Sequence, residues 1–212
     1  GARFAVGLLV RALIETESGA AADDALSAGT LGEQLPQDRA STYLLEARGL
    51  SHLAQGRHRE AYEDLTEFGR RTELSGAANP LAERWRSYAA TALATVGDTE
   101  RAAQMVDEDL ERARRWGTPR AVGIALHAGA FTQPGGPPLN QLREAADLLA
   151  RSPSRLEHAR ALTDIGAAQR RTNQRSDARG TLHEALVLAE RCGATVLAGR
   201  ARDELRAAGG RR

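Results

Sequence analysis

The stretch ALTDIGAAQRRTNQRSDARGTLHEALVLAERCG (161–193) predicts two antiparallel helices joined by a turn at Asn173. Gly166 stands seven residues before the turn, where two helices that cross closely need a small side chain. One apolar face follows the second helix, at Ala178, Leu182, Ala185, Leu186 and Ala189. Because this spacing matches the helical period, the second helix is predicted to pack against the first through that face.

The same two-helix unit recurs along the chain. Turn-forming residues stand 37 to 41 residues apart, at Gly19, Gly56, Gly97, the Gly135-Gly136 pair and Asn173. A second series lies between them, at Pro36, Gly76, Gly117, Pro153 and Gly193. Turn residues at a nearly fixed period between helix-forming segments indicate a repeat array, a class of fold that usually binds other molecules.

The positions around each turn repeat as well. Small residues stand seven positions before the turns, at Ala12, Gly49, Ala90, Ala128 and Gly166. Larger apolar residues stand nine positions after them, at Leu65, Val106 and Leu182. The fourth unit follows the rule with Leu149 if its loop is five residues longer, and QPGGPP (133–138) supplies that length. The first unit fits poorly, since Asp24 takes a small position, and we expect it to be a terminal cap.

We therefore predict an all-α fold: a superhelical array of about five antiparallel helix pairs with a C-terminal helix. A single domain covers 1–212, with a degenerate repeat at 1–36, regular repeats at 37–193, and a helix and tail at 194–212. First helices are expected at 2–17, 38–54, 81–95, 119–132 and 154–171. Second helices are expected at 21–28, 58–74, 99–116, 139–151 and 176–191, and the last helix at 194–207.

Composition restricts the function. Ala, Leu, Glu and Arg dominate, and 42% of the 212 residues are hydrophobic, enough to bury a core. The formal net charge of +1 gives no overall attraction to nucleic acid or to a membrane surface. The single cysteine, Cys192, excludes an internal disulfide and indicates a reducing, cytoplasmic compartment. Basic runs such as Arg70-Arg71 and Arg170-Arg171 are interpreted as solvated helix ends.

The order of small, apolar and alanine positions resembles the tetratricopeptide repeat, in a variant with longer helices. The segment ARALTDIGAAQRRTNQRSDARGTLHEALVLAERCGATVLAGRARDELRAAGGRR (159–212) is similar to the part before the DNA-binding domain in large actinobacterial ATP-binding regulators of the LuxR family. ELSGAANPLAERWRSYAATAL (73–93) and ERARRWGTPRAVGIAL (111–126) resemble the preceding part of those proteins. The resemblance implies a helical-repeat sensor between an NTPase and a helix-turn-helix domain, and we expect this chain to be that middle part.

No catalytic chemistry is expected. The five histidines lack further residues at spacings that complete a metal site, and the chain contains no lysine for a nucleotide-binding P-loop. Acidic pairs such as Asp23-Asp24 and Asp107-Glu108 are interpreted as solvated or as lying at helix starts. We therefore predict no enzyme activity, no metal and no cofactor.

The tetratricopeptide resemblance also implies a concave face, which first-helix positions line. The matching positions are Tyr43, Glu46, Leu50, Arg84, Ser87, Thr91, Val122, Ala125, Arg160, Thr163, Ala167 and Arg170. We expect Arg160 and Arg170 to hold an anionic group of an effector or peptide, and Tyr43 and Leu50 to hold an apolar part. A protein–protein scaffold without a small-molecule ligand, or a domain that pairs with itself as a homodimer, remains an open alternative.

Overall fold

The computed structural model describes residues 2–17, 19–29, 35–76 and 84–209. Within these residues the chain is built of helices and contains no strand, which confirms the all-α prediction. The helices are α1 (Ala2–Thr16), α2 (Gly19–Gly29), α3 (Arg39–Ala54), α4 (His58–Leu74), α5 (Trp85–Thr95), α6 (Thr99–Trp116), α7 (Pro119–Ala130), α8 (Leu139–Ala150), α9 (Arg155–Arg171), α10 (Arg175–Arg191) and α11 (Thr195–Ala207). Their ends follow the predicted pairs closely, apart from the predicted residues 81–83, which lie outside the described residues.

The chain divides into two compact units, an N-terminal unit (Gly1–Asp109) and a C-terminal unit (Leu110–Arg212). In the N-terminal unit α1 packs on α2 and α3, α3 packs on α4, and α4 packs on α5. In the C-terminal unit α7 packs on α8, and α8 to α11 pack in chain order, with α11 also reaching α9. Each unit therefore consists of helices that pack mainly on their neighbours along the chain, and the single domain predicted from the sequence stays a prediction.

The predicted turn residues end the helices because they adopt the left-handed backbone conformation. Gly56 has φ of 75° and Gly97 has φ of 93°, and the non-glycine residue Asn173 reaches φ of 64°. The residue after the turn then donates back to the last turn of the helix: the Arg57 N–H bonds the His52 carbonyl oxygen at 2.8 Å. Glycine and asparagine tolerate this conformation better than other residues, which explains why the sequence marks the turns so regularly.

The sequence predicts that the small residue before each turn faces the large apolar residue after it. Two of the pairs confirm this prediction. A Cβ atom on Gly49 would lie 2.8 Å from Leu65 Cγ, and one on Gly166 would lie 2.6 Å from Leu182 Cδ2. Both leucines are fully buried. Because an alanine at either glycine would overlap the leucine, these glycines are required by the close approach of the two helices.

Two other pairs depart from the predicted register. In the pair of α7 and α8 the glycine that faces Leu149 is Gly123, five residues before the predicted Ala128; a Cβ atom on Gly123 would lie 2.8 Å from Leu149 Cγ. In α1 the glycine beside α3 is Gly7, while the predicted Ala12 is exposed. The five-residue difference in α7 equals the length of the insertion expected in the loop before α8, so counting back from the glycine pair there points to the wrong residue.

Candidate ligand-binding cavity

One cavity of the N-terminal unit contains two of the predicted groove residues, Tyr43 and Glu46, and has a volume of about 740 Å³. Its walls are the beginning of α3, the end of α4, and Arg11 from α1. The location follows from the topology, because in an antiparallel pair the first turn of one helix lies beside the last turn of the other. The other predicted groove residues do not line this cavity.

The apolar part of the cavity is formed by Tyr43, Phe68 and Leu74. Tyr43 is 37% exposed and meets the ring of Phe4 edge to face, with 5.3 Å between the ring centroids. Leu74, at the end of α4, is 76% exposed, whereas Phe68 is buried. A smaller hollow of about 360 Å³ adjoins Tyr43 and is lined by Phe4, Arg39, Ala40 and Tyr43. Exposed aromatic and aliphatic surface of this kind can cover the apolar part of a ligand.

Glu46 is a buried carboxylate at the cavity wall, with only 3% of its surface exposed. Its Oε2 accepts a hydrogen bond from Arg11 Nη1 at 2.9 Å, which ties α3 to α1. Burial raises the pKa of Glu46, and the charges of Arg11 and Arg84 oppose that rise. Glu46 therefore serves first as the partner of Arg11 inside the protein.

Three further arginines line the cavity, and they differ in how many of their hydrogen-bond donors already have partners within the protein. Arg71 donates to Glu67 at 2.7 Å, to the carbonyl oxygen of Pro36 at 2.8 Å and to that of Leu35 at 3.3 Å. Arg70 donates from Nε and Nη2 to Glu67, both at 2.7 Å. The hydrogen bonds from Arg70 and Arg71 lower the pKa of Glu67 to about 2. The side chain of Arg39 is exposed and makes no hydrogen bond or ion pair with the described part of the chain.

The remaining predicted residues of the N-terminal unit mainly make contacts within the protein. Arg84 stacks on the ring of Tyr88, with 5.1 Å from its guanidinium carbon to the ring centroid. Ser87 is buried and its hydroxyl donates to Asp109 Oδ2 at 2.6 Å. Leu50 and Thr91 are half-buried, and the Thr91 hydroxyl bonds its own helix. The Ser87–Asp109 bond joins α5 to α6, the contacts of Arg84 and Thr91 are local to α5, and none of the four residues adjoins the cavity.

The predicted residues of the C-terminal unit are also engaged. Arg170 Nε donates to Glu204 Oε2 at 2.6 Å, and this hydrogen bond raises the pKa of Arg170. Arg160 Nε lies 3.7 Å from Glu157 Oε2. Thr163 is fully buried and donates to a carbonyl oxygen of its own helix. An anion at Arg160 and Arg170 would have to compete with these carboxylates, and their role as a binding pair stays a prediction.

The C-terminal unit also contains a buried carboxylate that the sequence did not single out. Asp164 accepts from Arg200 and lies 2.8 Å from His127 Nε2. Burial alone would raise the pKa of Asp164, but the hydrogen bonds and charges of His127 and Arg200 outweigh it and hold the pKa below its usual value. These contacts link α7, α9 and α11, so the cluster fastens three helices together.

The requirements of a metal site and of a membrane-spanning helix can also be compared with the described residues. No cluster of three or more His, Cys, Asp or Glu side chains there is arranged to hold a metal ion. Within those same ranges, no helix combines the length and the apolar composition that a membrane crossing needs.

A scan against models of known protein families finds no match, and no curated protein is significantly similar to the chain.

Proposed function

We propose that this chain is a ligand-sensing and protein-interaction helical-repeat domain that binds an effector or partner on a concave surface. The observation that carries the proposal is the cavity at the beginning of α3, where an exposed tyrosine lies among four arginines. Its volume of about 740 Å³ is within the range of about 300–1,000 Å³ that small-molecule sites occupy. The walls of the cavity belong to α1, α3 and α4, and α3 packs on both of the other helices, so the fold itself forms the cavity.

The resemblance of segment 159–212 to LuxR-family regulators supports a place in a cytoplasmic, multidomain transcriptional regulator. The NTPase and DNA-binding domains of such a protein would be the covalent neighbours of this domain. A ligand would then act by binding one arrangement of the helices more tightly than another, because equal affinity for both arrangements shifts nothing.

A protein–protein scaffold is the second candidate, and α1 favours it. Leu8 and Leu9 are 55% and 50% exposed, and Phe4 is exposed on the same helix. Adjacent exposed apolar side chains are typical of surfaces that another protein covers. In this alternative the chain docks a protein segment and needs no small-molecule effector.

A thermal-shift screen of metabolites, combined with affinity capture from a lysate, separates these functions. We expect a compound that raises the melting temperature of the wild-type chain, since a ligand that binds only the folded state stabilises it. Tyr43→Ala should abolish that increase, whereas the double variant R160A/R170A should keep it. If R160A/R170A abolishes it, the anionic group of the ligand lies at the two arginines that the sequence predicted. Capture of a protein partner alone would support the scaffold, and the absence of both a stabilising compound and a partner would contradict both functions.

A further inference from the structure

We propose that the cavity at the beginning of α3 binds a small organic anion, whose carboxylate or phosphate is held by Arg39 and Arg70. The apolar body of this anion lies against Tyr43 and Leu74. This inference rests on the proposed sensing function and adds the chemical class of the ligand and the residues that recognise it.

The charges around the cavity favour an anion. Four guanidinium groups and two carboxylates line it: Arg11, Arg39, Arg70, Arg71, Asp38 and Glu46. Both carboxylates already have partners. Asp38 caps α3 by accepting from the backbone N–H and the hydroxyl of Ser41, both at 2.8 Å, and Glu46 holds Arg11. The lining groups therefore carry two more positive charges than negative ones, and Glu67, which pairs with Arg70 and Arg71, lowers the local excess to one positive charge.

Hydrogen-bond donors remain on three of the arginines, and one of these, Arg11, already uses Nη1 to hold Glu46. Arg71 uses Nε, Nη1 and Nη2 in bonds to Glu67, Pro36 and Leu35. Arg70 uses Nε and Nη2, which leaves Nη1 without a partner among the described residues. Arg39 offers its whole planar fork of donors, the arrangement that binds a carboxylate or phosphate through two parallel hydrogen bonds.

The apolar surroundings and the size restrict the ligand further. Tyr43 borders both the cavity and the smaller hollow, and Arg39 borders both as well. Tyr43 lies one helical turn after Arg39 on α3, so an anionic group bound to Arg39 would have an aromatic surface beside it. A volume of about 740 Å³ fits a small molecule, and the formal net charge of +1 gives no general attraction to a polyanion such as nucleic acid.

The test compares three probes that share one aromatic body: naphthaleneacetate, naphthyl phosphate and the neutral naphthaleneethanol. Isothermal titration of the wild-type chain should show binding of at least one anion, and naphthaleneethanol should bind about tenfold more weakly or worse. The stronger of the two anions identifies the headgroup as carboxylate or phosphate. Inorganic phosphate alone should bind more weakly than naphthyl phosphate, because it lacks the apolar body.

The variants assign the anion to its arginine. R39Q should lower the affinity for the preferred anion by about tenfold or more and leave that for naphthaleneethanol unchanged. R59Q is the matched control, since Arg59 is exposed on α4 and does not line the cavity, and it should bind like the wild-type chain. Because Arg39 is exposed and has no partner among the described residues, R39Q should also melt like the wild-type chain.

The inference is overturned if no anion binds, if naphthaleneethanol binds as tightly as the anions, or if R39Q keeps full affinity. A loss of affinity in R59Q equal to that in R39Q would also overturn it, because the effect would then be one of total charge. The sensing function fails separately, when neither a metabolite nor a protein partner is found. A metabolite that stabilises R39Q and the wild-type chain equally would refute this site and leave the function standing.

Discussion

Gly166→Ala tests the packing that repeats along the chain, because it adds one methyl group where α9 meets α10. The new Cβ atom would lie 2.6 Å from Leu182 Cδ2, which is 0.8 Å short of the 3.4 Å at which ordinary van der Waals contact begins. Leu182 is fully buried, so its side chain cannot turn into solvent to make room. Overpacking of this kind costs about 1–3 kcal/mol, and the tight fit here places it at the upper end.

Alanine also gains about 1 kcal/mol over glycine inside a helix, which partly offsets the overlap. We therefore expect Gly166→Ala to lower the free energy of unfolding by about 1–2 kcal/mol. Gly180→Ala is the matched control in α10, because a Cβ atom there meets no atom within 4 Å. This control should raise the free energy of unfolding by up to about 1 kcal/mol.

Urea unfolding followed by far-UV circular dichroism measures both variants. A double-mutant cycle with Leu182→Ala then tests the partner, since removing the leucine side chain should relieve the overlap. We expect the double variant to be more stable than the sum of the single effects predicts, by about 1 kcal/mol or more. Equal stabilisation by Gly166→Ala and Gly180→Ala, or strictly additive effects in the cycle, would refute the reasoning.

Substitutions at three further positions test individual features of the fold. Asn173→Ala should destabilise the chain by about 1 kcal/mol in urea unfolding, because Asn173 has φ of 64°, while Asn173→Gly should not. Burial raises the pKa of Glu46, so its ionised form is disfavoured in the folded chain. The stability of Glu46→Gln relative to the wild-type chain should therefore increase as pH rises above 4.5. The same relative stability below pH 4.5 would contradict this prediction. Asp164→Asn should cost about 2 kcal/mol at neutral pH, because it weakens charged hydrogen bonds to His127 and Arg200. That loss should shrink as pH falls below 3.8, where the wild-type carboxyl takes up its proton, and a loss independent of pH would contradict the assignment.

The helices were predictable because their ends depend on local chemistry. A left-handed turn selects glycine or asparagine, as at Gly56 and Asn173, and the helical period places small and large residues at fixed distances from that turn. Gly123 was missed because the insertion that precedes α8 shifts the contact along α7. A count from the turn cannot show on which side of the turn the extra residues lie.

The site was less predictable, because it depends on which charges already have partners. Arg170 pairs with Glu204, 34 residues away, and Glu67 engages both Arg70 and Arg71. Spacing along the chain does not reveal such pairs, so it could not show that Arg39 lacks a partner among the described residues. Glu46 lies on the cavity wall, but its burial and its bond to Arg11 are tertiary features that helical spacing does not contain.

A two-dimensional ¹H–¹⁵N NMR titration of the chain with naphthaleneacetate and naphthyl phosphate tests the central claim most directly. The account predicts chemical-shift changes concentrated at the beginning of α3 and the end of α4, including the Arg39 and Tyr43 amides. With naphthaleneethanol the same changes should require a concentration about tenfold higher or more. Shift changes centred on Arg160 and Arg170 in α9, or none at any residue, would contradict it.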